Sequence, residues 1–346
     1  MNSSPFGTLP TGESVEKYTL TNPAGASLEV ITYGGIVTAL HVPDREGHMA
    51  DVVLGFANLD AYVAGHPYFG AIIGRIAGRV SGGLLKVDGQ THPLVCNQAP
   101  NHLHGGNVGF DKRVWTAEPV SHPDGADSLR LTYHSPDGEE GYPGNLDIAI
   151  TYTLTANNEF IIESEATSDQ VTPLSLANHS YFNLAGEGSG TIENQHVQIF
   201  AEACVMTDDD MTLSSQRQPV EGTASDFRES RRLGDDLPSL FKSHGENYLL
   251  RSSASANVTR VARVVDPGSG RTLEVSTNDC CLQFYTGVAL EGNLTGKSGK
   301  LYVQHGALCL ECQGYPEGSS HPELGDNLVH PGTPQRRTTI YAFSNV

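Results

Sequence analysis

The chain is short of positive charge: 21 Lys and Arg stand against 40 Asp and Glu in 346 residues, a formal net charge of −19 at pH 7. A surface of that sign repels phosphate backbones and anionic lipid, which argues against nucleic-acid and membrane-surface roles and leaves few cations for a phosphorylated substrate. Long apolar runs are missing too. No stretch approaches the ~20 consecutive apolar residues of a membrane span, and the opening MNSSPFGTLPTGESVEKY has neither a basic n-region nor an apolar h-region. A soluble, cytoplasmic protein is expected. Cysteine is sparse: Cys96, Cys204, Cys280, Cys281, Cys309 and Cys312, two of them adjacent, suit reduced and mostly buried thiols better than a disulfide framework. There is no Gly-x-Gly-x-x-Gly or P-loop pattern, no repeat of solenoid length and no low-complexity linker. Alternating strand and helix periodicity is also absent, which excludes Rossmann and TIM architectures.

What is present is turn chemistry and period-2 alternation. With 38 glycines and 19 prolines, tight turns are favoured over long helices. The clearest alternation is Leu146, Ile148, Ile150, Tyr152 and Leu154 against Asp147, Ala149, Thr151 and Thr153. Shorter runs lie at 28–32, 129–133, 160–167, 196–200, 271–277, 281–286, 307–313 and 337–343. Asp88-Gly89 marks a hairpin between 84–87 and 90–94, and Pro136-Asp137-Gly138 and Asp266-Pro267-Gly268 mark turns. Helices are expected only near Asn58 to Ala64 and Gly234 to Phe241. The reading is one all-β domain over residues 1–346, with sheets packed on sheets.

Four distant segments concentrate catalytic residue types: Gly74 to Arg79, Asn101 to Gly106, Asn178 to Leu184 and Leu310 to Gln313. Glu311 interrupts the apolar run Ala307 to Leu310. On a strand it shares a face with Cys309 and Gln313, which either aims a carboxylate into a polar cleft or marks a simply wet face. Gln283 and Tyr285 share a face by the same parity. His179, beside aromatic Tyr181 and Phe182, suits proton transfer or a structural role. His102-x-His104 invites a metal reading with a remote Glu, but the pair is bracketed by Pro100 and Gly105-Gly106 and no carboxylate follows at short spacing. Cys309 and Cys312 point to opposite faces of a strand, which suits core residues rather than zinc ligands. Asp208 to Asp210 reads as a solvated acidic triplet.

Together these segments resemble the aldose 1-epimerase (galactose mutarotase) family from about Tyr18 onward. Six ordered blocks carry the resemblance: Tyr68 to Arg79, Asn101 to Gly106, Asp137 to Gly144, Asn178 to Leu184, Gln283 to Gly287 and Leu310 to Gln313. It implies a large antiparallel β-sandwich, no metal or organic cofactor, and a free hexose such as D-galactose or D-glucose as substrate. It implies Glu311 as general base, His179 as general acid, His104 as a second histidine near the ring oxygen, Arg79 and Gln283 as sugar contacts, and Tyr285 at the pocket border. Two positions depart from the family pattern. Gly78 stands where the family commonly has Asn, and aligning Asn247-Tyr248 puts Gly245 at a substrate-binding Asp, with Glu246 the candidate replacement. A monomer acting on a small carbohydrate is expected. Two further readings stay open on the residues: a carbohydrate-binding protein without turnover, and the same acid/base pair acting on a non-sugar metabolite.

Overall fold

The computed structural model describes residues 1–346 except 123, 209–210, 236, 238–244, 251–254, 256 and 326. Alternation decides its layers. In the strand Leu146–Leu154, the side chains of Leu146, Ile148, Ile150, Tyr152 and Leu154 are all buried while Asp147 is exposed. Burying each large apolar side chain contributes ~1.5–3 kcal/mol as an upper estimate, which holds this face against the core. The strand pairs antiparallel and without a register break with Asp127–Ser135 on one side and Glu159–Ser168 on the other. These belong to a nine-stranded sheet whose order is Thr116–Ser121, Asp127–Ser135, Leu146–Leu154, Glu159–Ser168, Gln335–Asn345, Arg271–Thr277, Thr259–Val265, His196–Ile199 and Arg231–Arg232.

An N-terminal sheet runs as a meander through Asn2–Thr8, Ser14–Thr21, Ser27–Ile31, Val37–Pro43 and Met49–Asp51. A third sheet, called here the cleft sheet, has the order Leu213–Pro219, Ala203–Thr207, Glu246–Leu249, Cys281–Tyr285, Cys309–Gln313. One apolar cluster joins all three, with Leu28 and Leu40, Leu131 and Ile150, and Leu282, Phe284 and Leu310 among its members. The all-β sandwich expected from the sequence is the fold observed.

Strands from the sequence reading recur with ends moved by a residue or two, as at Ser27–Ile31 and Gln335–Asn345. The Asp88-Gly89 hairpin joins Leu84–Val87 to Gln90–Pro93. The helix expected at 58–64 is Leu59–Val63, capped by the Asn58 side chain, which accepts from the Ala61 amide. Near 234–241 the chain forms a 3-10 turn, Leu233–Asp235, and most of the rest of that segment lies outside the described residues. Among the described residues no helix is long and apolar enough to cross a membrane. All six cysteines are free thiols, and all but Cys96 are buried.

Two polar clamps set the loops that border the cleft. Arg75 is only 1% exposed, and its guanidinium donates to Ser135 Oγ, the carbonyls of Ser135, Pro136 and Pro143, and Thr172 Oγ1. The Glu140 carboxylate accepts from the amides of Asn107 and Val108. The Asp137 to Gly144 block therefore braces the segments carrying Arg79 and His104 and does not line the cleft itself.

Candidate active site

Every residue of the strand Cys309–Gln313 is buried, so the wet-face reading of Glu311 does not apply. Parity sends Leu310 and Cys312 into the large apolar cluster and Cys309 into a second one. Glu311 and Gln313 line a cleft of about 250 Å³. Register extends this face across the sheet: Glu311 lies opposite Gln283, and Gln283 opposite Asn247. Residues directly opposite on an antiparallel ladder share a face. Asn247 Nδ2 donates to Gln283 Oε1 at 3.2 Å, which orients the Gln283 amide.

The facing wall comes from chain segments far away in sequence. Ile72–Ile73 pairs with Ala177–Asn178, and Phe182 bridges to both Val53 and Leu308. This places the Asn178 to Asn183 segment against the strand that bears Glu311. His179, 5% exposed, brings Nε2 to 3.6 Å from Glu311 Oε1. Its ring stacks between Tyr181 (centroids 5.1 Å apart, 15° between planes) and Tyr68 (5.8 Å, 22°). A short ladder, His102–Leu103 against Arg79–Val80, delivers Arg79 and His104 to the same cleft. Arg79 Nε donates to Gln98 Oε1 at 2.6 Å.

His104 has a fixed role in hydrogen bonding. Its Nδ1 accepts from the Gly78 amide at 3.0 Å, and its own amide donates to the Gly78 carbonyl. A backbone N–H can only donate, so Nδ1 must keep its lone pair and the ring is the neutral Nε2–H tautomer. Burial, together with nearby His179 and Arg79, holds the His104 pKa well below the usual value, in agreement.

Glu311 and His179 are driven apart from their usual protonation. Burial pushes the Glu311 carboxyl up to about 8, against the pull of Arg79. Burial pushes His179 down to about 3, with its own carbonyl opposing and His66 adding to the fall. Among the described residues Glu311 Oε2 has no hydrogen-bond partner, which costs ~1–3 kcal/mol for a buried polar atom. Burial thus favours the state in which Glu311 keeps a proton and His179 is neutral, and an ion pair forms only if that proton moves to His179. A carboxyl and an imidazole that share one proton across a polar cleft can work as acid and base on a bound ring.

The family model for aldose 1-epimerase matches residues 16–342. Galactose mutarotase of Rattus norvegicus is 43% identical over 342 residues, covering 98% of this chain and 97% of the relative. The chain belongs to the aldose 1-epimerase family. Its activity is that of the family, isomerisation of an aldose at the anomeric carbon. Aldose 1-epimerase of Escherichia coli (strain K12) is 32% identical, covering 99% of each chain. Galactose 1-epimerase from Lactobacillus acidophilus superposes with a TM-score of 0.84 at 27% identity, covering 99% of this chain and 98% of that one.

The structure brings Glu311, His179, His104, Arg79, Gln283, Tyr285, Gly78 and Gly245 to one cleft. It does not bring Glu246. That residue lies opposite Phe284, whose side chain enters the apolar core, so it stands on the far face of its strand from Asn247. There, burial pushes its carboxyl up to about 7, with Ser225 hydrogen-bonded to it. Gly78 meets the cleft with backbone only, since a Cβ would lie 2.6 Å from Pro316 Cγ. At Gly245, with φ +77°, a Cβ would lie 2.1 Å from the Phe284 carbonyl oxygen, so no carboxylate can stand there without moving the ladder. Gly245→Ala is expected to cost ~2–3 kcal/mol of stability and to raise KM by displacing Gln283; an unchanged melting temperature together with an unchanged KM would contradict this.

His102 leaves its neighbour: its ring contacts the Val95 carbonyl at 2.7 Å and the Tyr142 hydroxyl at 2.6 Å, so the His-x-His pair diverges. His179, Cys309 and Glu311 do place ligand-type atoms within 4.8 Å of one another. The sulfur lies 3.6 Å from Nδ1 and the carboxylate 3.6 Å from Nε2 of the same ring. The sequence reading missed Tyr68 as a site residue. Its φ of 61°, like those of His104 (50°) and Met211 (69°), is left-handed, and all three line the cleft. Positive φ at non-glycine residues stores strain that clusters at functional sites, and nothing in the residue letters announces it.

Proposed function

We propose that the chain interconverts the α and β anomers of a free, neutral hexose such as D-galactose or D-glucose, with Glu311 as general base and His179 as general acid. The observation that carries this is the buried carboxyl of Glu311, with Oε2 unpartnered, 3.6 Å from an imidazole while the second histidine is locked neutral. Only a ring able to hold a proton on Nε2 and release it can serve as the acid, and His104 is spent as a fixed donor. Sugar hydroxyls donating to Glu311, with Arg79 nearby, favour the carboxylate and move the shared proton to His179.

Glu311 then takes the proton from the anomeric hydroxyl while His179 Nε2 protonates the ring oxygen. The bond between C1 and the ring oxygen breaks, the C1 carbonyl forms, C1–C2 rotates, and the reverse transfers close the other anomer. Neither proton is consumed. His104 Nε2–H steadies charge on the ring oxygen, and Arg79, Gln283 and Gln313 hold hydroxyls, with Tyr285 at the border. These steps need no metal or organic cofactor, because side chains make both transfers. The proposal places this chemistry on one domain of a cytoplasmic monomer whose partner is a small carbohydrate. With Arg79 the cationic side chain among the described cleft residues, a neutral sugar suits the site better than a sugar phosphate.

Polarimetry of freshly dissolved α-D-galactose and α-D-glucose tests it. Rotation should decay far faster than in buffer with at least one of them; the buffer rate with both would overturn the substrate proposal.

A further inference from the structure

Behind the cleft, the thiol of Cys309 lies against an acid/base residue. Its Sγ lies 3.6 Å from His179 Nδ1, with both side chains buried. Cys309 and Glu311 stand two residues apart on one strand face, so one strand meets the imidazole twice, sulfur near Nδ1 and carboxyl near Nε2. Tyr68 and Tyr181 close the two faces of the ring. These four neighbours restrain the ring with Nε2 toward the Glu311 carboxyl. Burial, and after it Glu311, raises the Cys309 pKa well above the usual thiol value, so the sulfur keeps its proton.

A thiol differs from the carbonyl or carboxylate that usually faces the far nitrogen of a working histidine. Those groups only accept and therefore demand an Nδ1–H. A thiol is a weak donor and a weak acceptor in one atom. It can donate S–H to a bare Nδ1 and, after rotation about Cβ–Sγ, accept from Nδ1–H. We propose that Cys309 is a positioning residue for His179, serving Nδ1 in both protonation states so that the travelling proton is confined to Nε2. The proposal rests on the reading of His179 as the acid. Because sulfur accepts weakly, it holds the ring without raising its basicity, and the imidazolium remains a strong acid toward the ring oxygen.

The test compares Cys309→Ala and Cys309→Ser with the wild type. Three measurements are needed: kcat and KM by polarimetry over a pH series, and ¹⁵N shifts of the His179 ring nitrogens. Loss of one weak hydrogen bond on the acid should lower kcat ~5–10-fold in Cys309→Ala with KM nearly unchanged. The Nδ1 shift and the acid limb of the pH profile should both move. Cys309→Ser, which keeps a group able to donate and accept, should recover most of kcat and restore the Nδ1 shift toward the wild-type value. An alanine variant with wild-type kcat and unmoved Nδ1 shift overturns the proposal. Equal losses in Ala and Ser with unmoved shifts also overturn it, since they report packing alone. If His179→Gln retains wild-type turnover, the acid assignment falls, and the Nδ1 shift in Cys309→Ala still reads the thiol contact separately.

Discussion

Replacing Glu311 by Gln is expected to lower the mutarotation rate ~10²–10⁴-fold while making the protein harder to unfold. The activity loss follows from the proposed role of Glu311 as base, since Gln leaves an amide of nearly the same shape that cannot take a proton. The stability gain follows from linkage. The folded pKa of Glu311, about 8, lies above its ordinary value of 4.5, so the folded state holds a proton that the unfolded chain releases between those values. The contribution of this group is whole below the lower value and is lost as pH rises through the higher one. Gln does not titrate, and His179 is common to both proteins. The difference in melting temperature between variant and wild type should be small near pH 4 and widen to ~5 °C at pH 8. Calorimetry at the two pH values checks the second half and polarimetry the first. A Gln variant that turns over normally, or one whose melting temperature tracks the wild type at both pH values, contradicts the assignment of a buried catalytic carboxyl.

His179→Gln is expected to change the shape of the pH profile as well as its height. In the wild type the active pair holds one proton. Activity should fall on the alkaline side as that proton leaves, near the raised Glu311 value of about 8, and on the acid side as a second proton adds to His179, well below 6.5. The profile is a broad bell whose limits belong to the pair. With Gln at 179 no acid remains, the rate should drop ~10²–10³-fold, and the residual activity should rise with pH as Glu311 ionises. The alkaline limb thus disappears. His104→Gln should slow the reaction and keep the bell, because that ring is neutral throughout. If residual activity in His179→Gln instead falls as Glu311 ionises, Glu311 is the acid and the two roles exchange. If His179→Gln keeps wild-type turnover with the same alkaline limb, His104 becomes the acid.

The residues alone determined the architecture and much of the cleft. Strand alternation is local, since successive side chains must point to opposite faces, so Leu146 to Leu154 declares its buried face in the letters themselves. The same parity set Glu311 beside Gln313, and Gln283 beside Tyr285, before any sheet order was known. Parity on one strand does not say which face meets which layer. Glu246 and Asn247 are neighbours, and only the pairing of their strand with Cys281–Tyr285 decides that Asn247 joins the cleft row while Glu246 turns away. The chemistry was likewise left to the tertiary structure, because protonation depends on what surrounds a group rather than on its neighbours in the chain. Glu311 holds its proton because segments more than a hundred residues away exclude water from it. His104 is neutral because Gly78 offers it a backbone N–H, and His179 faces a thiol because its segment packs against the strand that carries Cys309.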